Sequence, residues 1–193
     1  TASISPRYNP SAVSQFEKDS QKWCFHSKTP YSNTIPGYHD SYGYDGMSIT
    51  DATEIVSWGD TKYITNMDGT CNYNHGLTAI PDSWGNWENL KSTNAMFINC
   101  DSLTTIPTSW DGLNNVSASN SMFRLCSSLK SIPTSWGCLD NLEDASSMFY
   151  NCSSLSEINL TDLLTKAPKL KNIARMFLGT KINDKDGVSA FID

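Results

Sequence analysis

The sequence of 193 residues is poor in charge, in histidine and in long apolar runs, and each shortage excludes something. Charged residues make up 18%, against roughly 25% in ordinary soluble domains. Fourteen Lys+Arg against twenty Asp+Glu leave a net charge of −6. Nonspecific binding to nucleic acid or to an anionic membrane needs clustered positive charge, so neither partner is expected. No apolar run approaches the roughly 18–20 residues of a membrane-spanning helix, so no membrane insertion by this segment is expected. The three His, 26, 39 and 75, leave later residues without a side chain that titrates near neutral pH. A nucleophile elbow, a His-Glu-x-x-His pair, a P-loop and a dinucleotide fingerprint are all missing. The reading is of a protein that is not an enzyme and carries no cofactor.

Six Cys, six Met and six Trp are present in quantity. Six cysteines are too sparse at this length for a disulfide-stapled mini-protein, and the count alone leaves the redox compartment open. Much of the excess is periodic. Met-Phe occurs at 96–97, 122–123, 148–149 and 176–177. Leu recurs at 77, 103, 129 and 155, Ile at 80, 106, 132 and 158, and Pro at 81, 107 and 133. Trp falls at 84, 110 and 136, with Trp58 one step earlier, and Cys at 100, 126 and 152. The step is 26 residues, with two extra residues between Leu155 and Leu170. Five units follow: 51–76, 77–102, 103–128, 129–154 and 155–182. Thr70-Cys71 stands in the first where Met-Phe is expected.

A unit with about seven apolar positions cannot offset the entropy of ordering its own backbone, whereas stacked units cover one another. The spacing therefore predicts a solenoid. Leu-x-x-Ile-Pro, as in Leu103–Pro107, reads as a rung of a parallel sheet that ends at the proline. A second short strand at Leu90–Thr93 is an alternative register. Asn120–Cys126 and its equivalents read as short helical turns behind polar capping residues. Residues 1–50 read as an N-terminal cap, with a helix expected over Ser11–Cys24 from the spacing of Val13, Phe16 and Trp23. Residues 183–193 read as a C-terminal cap or a truncated next repeat.

The unit Leu-x-x-Ile-Pro-x-Ser-Trp-Gly-x-Leu-x-Asn-Leu resembles a leucine-rich repeat. With Trp58–Met67 and the downstream Met-Phe-x-x-Cys-x-Ser-Leu, residues 48–182 resemble the BspA-like repeats of bacterial surface proteins, which also occur in mycoplasma surface lipoproteins. The resemblance implies an α/β fold: a right-handed leucine-rich-repeat solenoid with a parallel β-ladder, short helical turns and about five repeats. By analogy it also implies a place at the cell surface or outside the cell, on a chain that is whole or part of a longer anchored one, and adhesion through a protein ligand.

The positions in and between the columns hold the candidate sites. The Trp column offers either a sugar-stacking strip or buried packing, and burial is the expected outcome. Three cysteines in a line cannot pair completely, and a metal needs ligands that converge, so the Cys column is expected as buried thiols. Cys24, His26, His39 and His75 match no zinc spacing, and Asn183–Gly187 lacks the acids of a calcium loop. Positions that vary within the fixed frame form a candidate binding face: Thr104, Thr105, Thr108, Lys130, Ser131, Glu157, Arg124 and Tyr150. Tyr38, His39, Tyr42 and Tyr44 form a candidate aromatic loop. A glycan, or host recognition of the phage type, is the alternative to a protein ligand.

Overall fold

The computed structural model describes residues 2–3, 15–19, 22–26, 53–58, 65–82, 84–85, 87–107, 110–132, 139–158, 163 and 165–182. Up to residue 26 the description concerns backbone only. Four strands form one sheet in the order β1-β2-β3-β4: β1 Ala2–Ser3, β2 Gln15–Asp19, β3 Lys22–His26 and β4 Glu54–Ser57. β1 and β2 pair antiparallel, as do β2 and β3, whereas β3 pairs parallel with β4. The helix expected over Ser11–Cys24 is therefore replaced by a hairpin in which Phe16 is the register partner of Phe25. Trp23, Cys24 and Phe25 run consecutively, and such residues favour a pleated strand. Only Ser20-Gln21 separates the two strands, a spacing suited to a tight hairpin.

Parallel pairing continues past β4, with Glu54 bridged to Ala79. A second line of parallel bridges joins Asn66 to Ser92, Ala118, Asp144 and Asn172 in turn, and Ser131 is bridged to Glu157. Both candidate registers thus carry pairing, each as single bridged residues. Hydrogen bonds alternate along the Met-Phe segments. Thr93, Ala95, Phe97 and Asn99 donate their N–H groups to Ala118, Asn120, Met122 and Arg124 of the next unit, at 2.8–2.9 Å. Met96, Ile98 and Cys100 donate instead to the carbonyls of Thr93, Ala95 and Phe97 within their own unit. Ala95, Asn99, Ser121, Leu125, Ser147 and Asn151 adopt positive φ of 55–65°.

These segments are consecutive turns, where short helical turns were expected. A helix would use its amides internally; here every second amide is committed to the neighbouring unit. The extra residues of unit five leave the ladder intact: Phe149 still donates to Met176 and Lys171 to Glu143. The insertion holds a short helical piece, with the Ala167 N–H bonded to the Leu163 carbonyl at 3.0 Å.

Equal side chains stack because equal positions repeat. Phe97, Phe123, Phe149 and Phe177 form a file with centroids 5.4–5.6 Å apart and planes within 5°. Trp58, Trp84 and Trp110 form a second file at 5.6–6.1 Å, and its rings tilt against the Phe file. Met, Cys and Leu columns complete one continuous core. The units approach closely at Gly112, with φ +95°, where a Cβ would run into the carbonyl oxygen of Gly85.

A polar line runs beside the bridges. Asp68 Oδ1 accepts from Ser92 Oγ at 2.5 Å and from the Asn94 N–H at 2.7 Å, and Asn94 Oδ1 accepts from the Asn120 N–H at 2.9 Å. Higher up, Asp144 Oδ1 takes the Ser146 N–H and hydroxyl. Asp68→Ala will leave two donors of the next unit unmet and lower stability by about 1–3 kcal/mol. Asp68→Asn, which keeps an acceptor oxygen, will cost less. Urea unfolding followed by circular dichroism reads the difference.

Candidate functional site

The units present a shallow recess of about 400 Å³ lined by Lys130, Ser131, Ser154, Ser156, Glu157 and Lys181. Its floor follows from the ladder. Ser131 is bridged to Glu157, the Ser156 N–H donates to the Lys130 carbonyl at 3.1 Å, and the Lys181 N–H donates to the Leu155 carbonyl at 2.8 Å. Three backbone segments are thereby fixed side by side at the junction of units four and five. Lys130, Glu157 and Lys181 make no side-chain hydrogen bond or ion pair with any described residue. Two cations, one carboxylate and three hydroxyls are gathered on a fixed backbone and left open to solvent.

Of the proposed binding face, Lys130, Ser131 and Glu157 come together here. Ser156, which pairs with Glu157 as a variable rung position in the sequence, lines it too; Ser154 and Lys181 complete the recess and were not anticipated from the sequence. Charge counted unit by unit points to Lys181. Unit five holds Lys166, Lys169, Lys171, Arg175 and Lys181 against Glu157 and Asp162, within a chain of net charge −6. All five cations are exposed. Lys171 reaches back to Glu143 at 2.8 Å, and Lys169 reaches Asn141 at 2.8 Å. The hydrogen bond from Lys171 and its charge hold the Glu143 carboxyl below its usual range.

Thr104 and Thr105 are exposed on the preceding unit, outside the recess lining. The Arg124 guanidinium lies 4.9 Å from the centroid of the Tyr150 ring, a cation–π contact between adjacent units. Thr108, Tyr38, His39, Tyr42, Tyr44, Trp136 and 183–193 lie outside the described residues. Trp58, Trp84 and Trp110 are buried, which removes them as a sugar-stacking strip.

Cys71, Cys100, Cys126 and Cys152 are free thiols within the core. Each of the last three donates Sγ–H to a carbonyl of the unit below: Cys100 to Cys71, Cys126 to Phe97 and Cys152 to Phe123, at 3.0–3.1 Å. Burial pushes Cys100 and Cys152 up to about 12 and raises Cys71 and Cys126 well above the usual thiol value. His75 Nδ1 meets Asp101 Oδ2 at 3.0 Å on the surface. Among the described residues no three His, Cys, Asp or Glu converge to hold a metal, and no helix is long and apolar enough to cross a membrane.

A family model described as "Mycoplasma protein of unknown function, DUF285" matches the chain twice, at residues 43–163 and 74–191. The chain belongs to this family. The DUF285 matches overlap and together take in every 26-residue unit and the recess between units four and five. Their reach to residue 43 extends ahead of the first unit delimited by the 26-residue step. Neither the curated proteins nor the solved structures provide a significant match to the chain.

Proposed function

We propose that this DUF285 chain is a non-enzymatic recognition module at a cell surface that binds a protein partner through exposed side chains on its stacked units. The units are taken to wind as a right-handed leucine-rich-repeat solenoid of the BspA-like type. Residues 1–50 and 183–193 are taken as its caps. The supporting observation is the recess at Lys130, Ser131 and Glu157, where polar side chains stand open on a backbone fixed by inter-unit hydrogen bonds. Rigid presentation of variable side chains is how repeat arrays build binding surfaces, and it limits the ordering cost on association. Burial of Trp58, Trp84 and Trp110 weakens the competing glycan reading, which retains the aromatic loop 38–44.

The test is a parallel screen of the purified chain on host extracellular proteins and on a glycan array. Saturable binding to a protein in the micromolar range or tighter is expected. Saturable glycan binding with no protein hit would overturn the proposal.

A further inference from the structure

The recess has a composition that narrows its ligand. Lys130 and Lys181 stand on either side of the junction and are both exposed. Neither ammonium is neutralised by Glu157, although all three side chains line the same space. Unit five concentrates five cations, of which Lys169 and Lys171 are engaged through their side chains by described residues of unit four.

We infer that the recess at Lys130, Lys181, Glu157 and Ser131 is the docking site for an acidic segment of the protein partner. The inference rests on the protein-binding reading above and gives that partner its chemistry. An acidic peptide supplies every complement the recess needs. Its side-chain carboxylates meet the two ammonium groups. Its backbone amides donate to Glu157, whose carboxylate would repel a ligand offering only negative charge. Its carbonyls accept from the hydroxyls of Ser131, Ser154 and Ser156. A free phosphate or sulfate satisfies the lysines but leaves Glu157 opposed. Among the described residues no aromatic side chain lines the recess, so a sugar acid finds no described aromatic platform there.

The probe is a dye-labelled octapeptide of alternating Glu and Gly, titrated into the full chain and read by fluorescence anisotropy. A Lys-Gly octapeptide and sialyllactose serve as comparison arms. Saturable binding of the acidic peptide alone is expected, weakening as salt is raised from 50 to 300 mM. At about 150 mM salt, where screening acts over roughly 8 Å, Lys130→Glu/Lys181→Glu will weaken binding at least tenfold. The charge-matched Lys91→Glu/Lys166→Glu will change it less than threefold. Glu157→Gln is a second, charge-neutralising probe of the same recess. It will alter affinity for the acidic peptide, whereas a binding site elsewhere leaves it unchanged.

Failure of the acidic peptide to bind, equal loss in both double variants, or preference for sialyllactose overturns the inference. So does binding of a host protein by the wild-type chain that persists undiminished in Lys130→Glu/Lys181→Glu. That last outcome leaves the protein-recognition reading standing, so the two failures are distinguishable.

Discussion

Phe123→Ala will destabilise the chain by about 3–5 kcal/mol, the range for truncating a fully buried aromatic side chain. Phe123 lies between Phe97 at 5.4 Å and Phe149 at 5.6 Å, and it meets Trp84 and Trp110 at 6.2 Å. Its removal opens a void against two neighbouring units at once. Backbone hydrogen bonds hold those units at their spacing, so the void cannot close by collapse: the N–H groups of Phe97 and Phe123 remain bonded to Met122 and Met148. Ile98→Ala, at a half-buried position on the rim, will cost less than half as much. Because stability in a stacked array is a sum of unit and interface contributions, loss of both Phe123 interfaces will also broaden the unfolding transition. Urea titration followed separately by circular dichroism and tryptophan fluorescence checks both points. Coincident, sharp transitions with a loss under 1 kcal/mol would show that the Phe file does not hold the units together.

The repeat was legible because stacking demands it. A side chain that must meet its own counterpart in the next unit leaves the same letter at a fixed interval, as Phe97, Phe123 and Phe149 do. Burial of Trp84, Trp110, Cys100, Cys126 and Cys152 followed from that same argument. Conformation inside the unit was less legible. Left-handed φ at Ala95, Ser121 and Ser147 has no sequence signature of its own, since glycine occupies none of these places. Their conformation is set by the need to send alternate amides to the next unit, a requirement that appears only once the units are stacked. The N-terminal hairpin escaped for a related reason. The apolar spacing of Val13, Phe16 and Trp23 fits a helix, yet β3 has a ready partner in β4, which lies some thirty residues away in the chain. At the candidate site, Lys130, Ser131 and Glu157 were accessible as variable positions in a fixed frame. Lys181 was not, because the insertion before Leu170 shifts unit five out of column and hides which residue returns to Leu155.

Cys100 and Cys152 will react with a disulfide reagent at pH 8 about a thousandfold more slowly in the folded chain than in urea, and Cys71 and Cys126 will be slowed in the same direction. For Cys100 and Cys152, burial moves the thiol from 9.0 to about 12, and only the thiolate attacks. Three pH units of displacement reduce the thiolate fraction by about three powers of ten, and exclusion of the reagent from the core slows reaction further. The same displacement couples folding to alkaline pH. An unfolded cysteine ionises near ~8.5, whereas these two remain neutral in the fold until about pH 12. Between those values the unfolded state binds fewer protons, so stability falls as pH rises, by up to about 1.4 kcal/mol per pH unit for each thiol. Below pH ~8.5 the thiols contribute no pH dependence. Cys71 and Cys126 are displaced in the same direction and add to the slope. Replacing Cys100 and Cys152 together by Ala will flatten the fall above pH 9 and leave the pH dependence near pH 7 as it is in the wild-type chain. Thiol labelling resolved by peptide mass, with urea midpoints measured from pH 7 to 11, tests both halves of the prediction. Rapid labelling of Cys126 without denaturant would show that the column opens in the native state, and the stacked core described above would then be wrong.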